Sequence, residues 1–228
     1  MKHEDSGRRS FITGLGAAVA AGAAGGGVAE AAQSSPARFT AARHTQDDWL
    51  LQVPGRHRIL IDAVTPKGAG EAVLYANNLY TTNKSAYQLD DKDLAIVIVM
   101  RHFATPFAFN DAAWAKYGKP MSGMLDFRDP KTKEAPSTNL YNVEGYGLTL
   151  PNLGTTIESV TRRGAIIAIC DLATHFAASQ LAAPTGSSEE AIYKDFTSNA
   201  VPKSRFVSAG VVAVTRAQEH GYSLIYAG

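Results

Sequence analysis

The chain has 228 residues, a formal net charge of +1, 45% hydrophobic residues and a single cysteine. A charge so close to zero gives no reason to expect a nucleic-acid partner, and one cysteine excludes an intramolecular disulfide. The length and apolar content are those of one globular domain with a full core.

The first 31 residues have the features of an export signal. Ser6-Gly7-Arg8-Arg9-Ser10-Phe11-Ile12 is followed by an Ala/Gly-rich stretch to Val28 and by the small-residue site Ala29-Glu30-Ala31. This arrangement predicts a twin-arginine leader over residues 1–31, which would carry a folded protein to the periplasm. The stretch is too weakly apolar for a stable span, so the leader, if it is not cleaved, is the only expected membrane contact.

Residues 32–55 are predicted to be a linker and a packed arm, and a regular α/β domain is predicted over 56–228. His57–Val64 reads as a buried strand, which Pro66–Gly70 interrupts. Apolar residues at helical spacing predict a helix over 70–83. Leu94–Met100 is continuously apolar and rich in β-branched residues, as in a central parallel strand covered on both faces.

The segment from about 103 to 150 is predicted to be an irregular insertion. Asn110 or Asp111 can cap a short helix that ends near Tyr117, after which residues 119–147 lose all periodicity. We therefore expect no core element there. The aromatic residues before and within the short helix are expected to form core or a subunit contact; they are Phe103, Phe107, Phe109, Trp114 and Tyr117.

The remaining pattern alternates helices and strands. Helices are predicted over 151–163, 173–182, 188–199 and 211–220, and strands over 165–170, 205–208 and 222–226. Five strands that alternate with helices predict an α/β, flavodoxin-like doubly wound sheet, mainly parallel, with helices on both faces. The last strand is expected at an exposed edge, which predicts a homo-oligomer.

Ligands of open parallel sheets bind at the carboxyl ends of the strands. In this chain those ends carry, in order, Thr65, Lys67 and Gly68; Arg101 and His102; Cys170 and Asp171; and Gly210. We predict that these groups, with Thr174 and His175 of the following helix, form one ligand-binding edge. The run from Lys67 to Gly70 would present backbone amides to an anion, although an ordinary strand-to-helix turn accounts for it equally well.

Cys170 is the main catalytic candidate because it ends a buried strand and directly precedes a helix. Amide donors and the helix dipole at such a position favour the nucleophilic thiolate. His102 would transfer protons, and Arg101 or the helix start at Asp171–Thr174 would stabilise the anion. Two alternatives stay open. In the first, Cys170 is an apolar core residue. In the second, Cys170, His102 and His175 bind a metal or haem, although no ligand spacing in the sequence selects one.

Two stretches resemble the DsrE/DsrF family, which includes the TusD-type sulfur-relay proteins. They are Arg163-Gly164-Ala165-Ile166-Ile167-Ala168-Ile169-Cys170 and the segment from Phe206 to Tyr222, FVSAGVVAVTRAQEHGY. The resemblance implies a flavodoxin-like fold, a small oligomer and a persulfide carried on Cys170. Relay members are mostly cytoplasmic and compact, whereas this chain is predicted to have an export leader and the 103–150 insertion.

Two functions follow from these observations. The first is an exported sulfur carrier or sulfurtransferase that exchanges sulfur between Cys170 and a donor or acceptor protein, without a cofactor or metal. The second is a non-catalytic periplasmic binding module that holds a small ligand, a haem or metal, or a protein partner at the same sheet edge.

Overall fold

The computed structural model describes residues 40–228, so the predicted leader and the first part of the linker lie outside the described residues. Five strands form one sheet in which every pair is parallel. They are β1 (His57–Ala63), β2 (Leu94–Met100), β3 (Ile166–Cys170), β4 (Ser204–Val207) and β5 (Ser223–Ala227). The sheet order is β4-β3-β2-β1-β5. The predicted doubly wound, flavodoxin-like α/β class is confirmed.

Seven α-helices accompany these strands in the described part of the chain. They are α1 (Trp49–Gln52), α2 (Pro66–Tyr87), α3 (Asp111–Leu125), α4 (Ile157–Arg163), α5 (Asp171–Thr185), α6 (Glu189–Ser198) and α7 (Gly210–Glu219). The prediction of a helix from Pro151 was wrong at its start. Leu153 and Gly154 have positive φ angles, and helix α4 begins only after Thr156, whose side chain caps it together with Ser159.

Helices cover both faces of the sheet. Alternation along β1 sends Ile59 and Ile61 into the larger core, beneath helices α2 to α6, and Leu60 into a smaller core. Helix α7 and the arm cover that smaller core, where Trp49 and Leu50 are buried. The carbonyl of Leu50 accepts hydrogen bonds from the Arg58 guanidinium and the Tyr222 hydroxyl. Trp49, Leu50 and Val53 of the predicted arm thus pack against the sheet.

The crossover helices change face once. The chain moves from β1 to β4 with its helices on the larger-core face, and α7 then returns on the opposite face to β5 at the far edge. The loops that leave β3 and β4 therefore separate to opposite faces. A crevice forms at the carboxyl ends of two strands whose loops diverge in this way, and Cys170 is the last residue of β3.

The segment between β2 and β3 is irregular after Leu125, but the expectation that residues 119–147 form no core element was wrong. Helix α3 runs eight residues beyond Tyr117, past Pro120, because Met121 and Leu125 are buried. The ring of Phe107 contacts those of Trp114, Phe127 and Tyr141. Burial of these large rings makes the segment part of the main core, because aromatic area dominates core energetics.

Strand β5 lies at the edge of the sheet, as predicted. Its outward side chains Leu224 and Tyr226 are exposed. Among the helices of residues 40–228, none has the length and apolar character needed to cross a bilayer.

Candidate functional site

Cys170 lies where two helices begin. It is the N-cap of α5, and its Sγ accepts hydrogen bonds from the N–H of Ala173 at 3.4 Å and from the N–H of Gly210, the first residue of α7, at 3.1 Å. Thr174 holds the turn between β3 and α5, because its hydroxyl donates to the Cys170 carbonyl at 2.9 Å. Two helix N-termini thus direct amide donors at one sulfur, and both favour negative charge on it.

A cleft of ≈ 360 Å³ opens beside this sulfur. Arg101 and His102 form its polar side, and its apolar side includes Leu172, Phe176 and Val211, all at least 47% exposed. The Cys170 residue is only 6% exposed, but it lines this open cleft. The thiol is therefore neither on the open surface nor sealed in the core, and a small molecule or a projecting side chain can reach it through the cleft.

Arg101 is fixed by a carboxylate that the sequence analysis did not select. Its Nε and Nη2 donate to the two carboxylate oxygens of Asp62, at 2.7 Å and 3.0 Å. The Asp62 side chain is only 6% exposed, and its hydrogen bonds raise the pKa of the Arg101 guanidinium. Arg101 is consequently a permanent cation on the wall of the cleft.

Gly210 has a spatial reason to be glycine. A Cβ placed on it would lie 2.4 Å from the Cβ of Arg101, which is far too close for two non-bonded carbons. The missing side chain lets the start of α7 approach Arg101 closely while its N–H reaches the sulfur of Cys170. The structure therefore brings together four of the residues predicted at the carboxyl ends of the strands: Arg101, His102, Cys170 and Gly210.

His102 is exposed and has a left-handed φ of 53°. Its ring stacks on that of Phe103, with 4.2 Å between the centroids. This backbone conformation costs a non-glycine residue energy and directs the imidazole onto the rim of the cleft. A histidine at such a place can exchange protons between solvent and a group held in the cleft.

Asp171 and His175 face a different neighbour. Asp171 accepts a hydrogen bond from the Tyr193 hydroxyl at 2.7 Å, which raises the pKa of Tyr193. The His175 ring stacks on the Tyr193 ring at 3.9 Å, and its Nδ1 lies 3.6 Å from a Glu189 carboxylate oxygen. Both side chains thus join α5 to α6 instead of lining the cleft beside Cys170.

Thr65, Lys67 and Gly68 also lie apart from the cysteine cleft, because β2 separates β1 from β3. Thr65 caps α2 by accepting the Gly68 N–H at 2.9 Å, and Lys67 pairs with Glu71. Gly68 packs against the backbone of Ala227, where a Cβ would meet the carbonyl oxygen at 2.3 Å. These contacts are those of a capped and closely packed turn between strand and helix.

The structure does not assemble the metal or haem site considered from the sequence. Cys170 and His102 share the cleft, but His175 does not line it. Within residues 40–228, no group of three or more His, Cys, Asp or Glu side chains is arranged to hold a metal ion.

Searches of the chain against family models, curated proteins and solved structures return no significant match.

Proposed function

We propose that this protein is an exported sulfur carrier in which Cys170 accepts sulfane sulfur as a persulfide and passes it to a partner thiol. The observation that supports this most directly is the pair of helix amides on Sγ, from Ala173 and Gly210, beside the cationic Arg101. Amide donors and a nearby cation stabilise negative charge on a group bound beside them, and the thiolate is the form in which cysteine is nucleophilic. The resemblance of residues 163–170 and 206–222 to the DsrE/DsrF family is consistent with the same chemistry.

The transfer step needs no oxidant or reductant. The Cys170 thiolate attacks the terminal sulfur of a donor persulfide, a new S–S bond forms, and the donor's S–S bond breaks. The electron pair of that bond leaves with the donor as a thiolate, and the proton of the terminal sulfur stays on it or passes to His102. The reverse sequence on an acceptor thiolate returns Cys170 to its starting state. Because the chain has one cysteine, a resolving disulfide within the same chain cannot compete with this release.

The site is suited to hold the persulfide between donor and acceptor. An added sulfur on Cys170 would extend into the cleft, where the amides and the Arg101 guanidinium stabilise its negative charge. The cleft is open to solvent, so the persulfide would stay accessible to an acceptor thiol.

The test is sulfur uptake by the purified protein. Incubation with polysulfide followed by intact-mass and peptide mass spectrometry should show one added sulfur atom on Cys170. The variant Cys170→Ser should show none. Wild-type protein that takes up no sulfur, although its thiol is alkylated in the folded state, would refute the carrier function.

A binding module is the second candidate, favoured by the size and apolar wall of the cleft. Its volume of ≈ 360 Å³ lies within the range of small-molecule sites, which are mostly apolar with a few placed polar groups. Under this hypothesis Cys170→Ala would retain ligand binding, whereas under the carrier hypothesis it abolishes sulfur uptake. A visible absorption spectrum of protein purified from its native compartment tests for haem.

The periplasmic localisation of the protein is a proposal as well. The twin-arginine pattern at Arg8 and Arg9 supports export to the periplasm. Replacement of both by lysine should retain the full-length protein in the cytoplasm, as measured by cell fractionation. Periplasmic accumulation of that variant would contradict the assignment.

Self-association is proposed through strand β5. Residues Ser223–Ala227 include no charge and no proline, the usual devices that prevent edge pairing, and Leu224 and Tyr226 are exposed beside the free edge. We expect wild type to sediment as an oligomer and Leu224→Lys as a smaller species. A monomeric wild type would refute the proposal.

A further inference from the structure

Three polar or reactive side chains share one face at the carboxyl end of the sheet. Leu60, Val99 and Ala168 belong to the smaller core under α7. Because side chains alternate along a strand, Asp62, Arg101 and Cys170, each two residues further along, project toward that same face. Strand β2 lies between β1 and β3, so Arg101 stands between the carboxylate and the sulfur.

Asp62 holds Arg101 by two bonds. The carboxylate accepts from Nε and Nη2 at 2.7 Å and 3.0 Å, which fixes the plane of the guanidinium. Nη1 takes no part in this pair. Arg101 lines the cleft whereas Asp62 does not, so the charge that a molecule in the cleft meets first is the positive one.

Gly210 imposes a second constraint on Arg101. The carbon stem of Arg101 occupies the space beside Gly210, where a Cβ would lie 2.4 Å from the Arg101 Cβ and 3.0 Å from its Cδ. The same glycine donates its N–H to Sγ of Cys170. The position of the guanidinium and the position of the sulfur are therefore set by one small group of contacts.

We infer that Asp62 is a positioning residue: it holds Arg101 beside Cys170, and the cleft thereby selects donors with a negative charge next to the reacting sulfur. The inference rests on the proposed function in one respect, that the Cys170 thiol reacts with molecules in the cleft. The alternative is that Asp62 only neutralises Arg101. The two roles give opposite results when Asp62 is removed. Loss of a positioning residue weakens the preference of the cleft for an anionic reagent, whereas loss of a neutralising residue strengthens it.

The experiment compares alkylation of the folded protein by iodoacetate, which is an anion, with alkylation by neutral iodoacetamide. The ratio of the two rates cancels changes in thiol exposure and in thiolate fraction, because both reagents need the same accessible thiolate. We expect the ratio of the iodoacetate rate to the iodoacetamide rate to be higher in folded wild type than in protein unfolded by urea. Asp62→Asn and Arg101→Gln should each lower the ratio, by about threefold to tenfold.

The matched control is Asp91→Asn. Asp91 accepts a similar bidentate pair from Arg163, at 2.8 Å and 2.9 Å, at the opposite end of the sheet. This variant loses an equivalent ion pair and should keep the wild-type ratio. If Asp62→Asn does not fold, Arg101→Lys replaces it. That variant keeps the charge but cannot form the bidentate pair, and its ratio should also fall.

A ratio in Asp62→Asn that equals or exceeds that of wild type would overturn the positioning role. Sulfur uptake is measured on separate, unalkylated portions of the same protein preparations. Uptake with an unchanged Asp62→Asn ratio refutes the inference alone, and a lowered ratio in protein that takes up no sulfur refutes the carrier function alone. A thiol that reacts with neither reagent refutes both.

Discussion

Replacement of Gly210 by alanine tests the geometry on which the site depends. The new Cβ would lie 2.4 Å from Cβ, 3.2 Å from Cγ and 3.0 Å from Cδ of Arg101. The nearest of these atoms belongs to the backbone end of the side chain and cannot move away by a change of rotamer. Either the start of α7 or the chain at Arg101 must shift, which lengthens the bond from the Gly210 N–H to Sγ.

The magnitude follows from two opposing effects. Overpacking of a well-packed site costs about 1–3 kcal/mol, and the better helix propensity of alanine returns at most about 1 kcal/mol. We expect Gly210→Ala to lower the free energy of unfolding by about 1–2 kcal/mol. For a domain of this size the melting temperature should fall by about 2–8 °C.

Gly123→Ala in helix α3 is the matched control. A Cβ there meets nothing within 4 Å, so the substitution should stabilise the protein by about 0.5–1 kcal/mol. The assay is urea unfolding followed by circular dichroism, together with the iodoacetamide rate of the native thiol. We expect Gly210→Ala to lower the free energy of unfolding and Gly123→Ala to raise it. The iodoacetamide rate should change only in Gly210→Ala. A Gly210→Ala variant as stable and as reactive as wild type would refute the close approach of α7 to Arg101.

Three further predictions concern other parts of the molecule. The bonds from Arg163 lower the pKa of Asp91 below its ordinary 3.8, so the pair contributes stability above the unfolded pKa and loses it as the pH falls through the lower folded pKa. Asp91→Asn should therefore cost about 0.5–1 kcal/mol at pH 7, a modest value because the pair is partly exposed. Urea titrations should show a smaller cost at pH 2, because protonation of the carboxyl weakens the pair. Trp114→Ala should cost about 3–5 kcal/mol in one cooperative unfolding transition, whereas a separate early transition would mean that the segment after β2 is not part of the core. His175→Gln should leave the alkylation rate of Cys170 unchanged, because the ring stacks on Tyr193; a clear loss of rate would place the histidine in the reaction.

The regular elements were predictable where local pattern and tertiary environment agree. Leu94–Met100 is apolar at all seven positions and is fully buried as β2. Cys170 and Arg101 were found by a rule that needs only the ends of the strands. The extension of α3 past Pro120 could not be read locally, because its driving force is the burial of Met121 and Leu125 against residues distant in sequence.

The members of the site needed knowledge of the sheet order. Asp62 stands out as the one acid in an apolar strand, but its pairing with Arg101 requires β1 and β2 to be neighbours. Thr65 and Lys67 were grouped with Cys170 because the sequence does not say that β2 separates them. The different orientation of His175 is predictable from the sequence, since it lies five residues after Cys170, about 140° around the helix from it.

The arm determines how the protein can be shortened. Leu50 accepts bonds from Arg58 and Tyr222, and Trp49 covers the face that also holds α7. A truncated version that starts at His57 would expose an apolar surface to solvent on one side of the sheet, and it should be recovered mainly as aggregates. Recombinant work on the domain should therefore retain the chain from Ala41 onward.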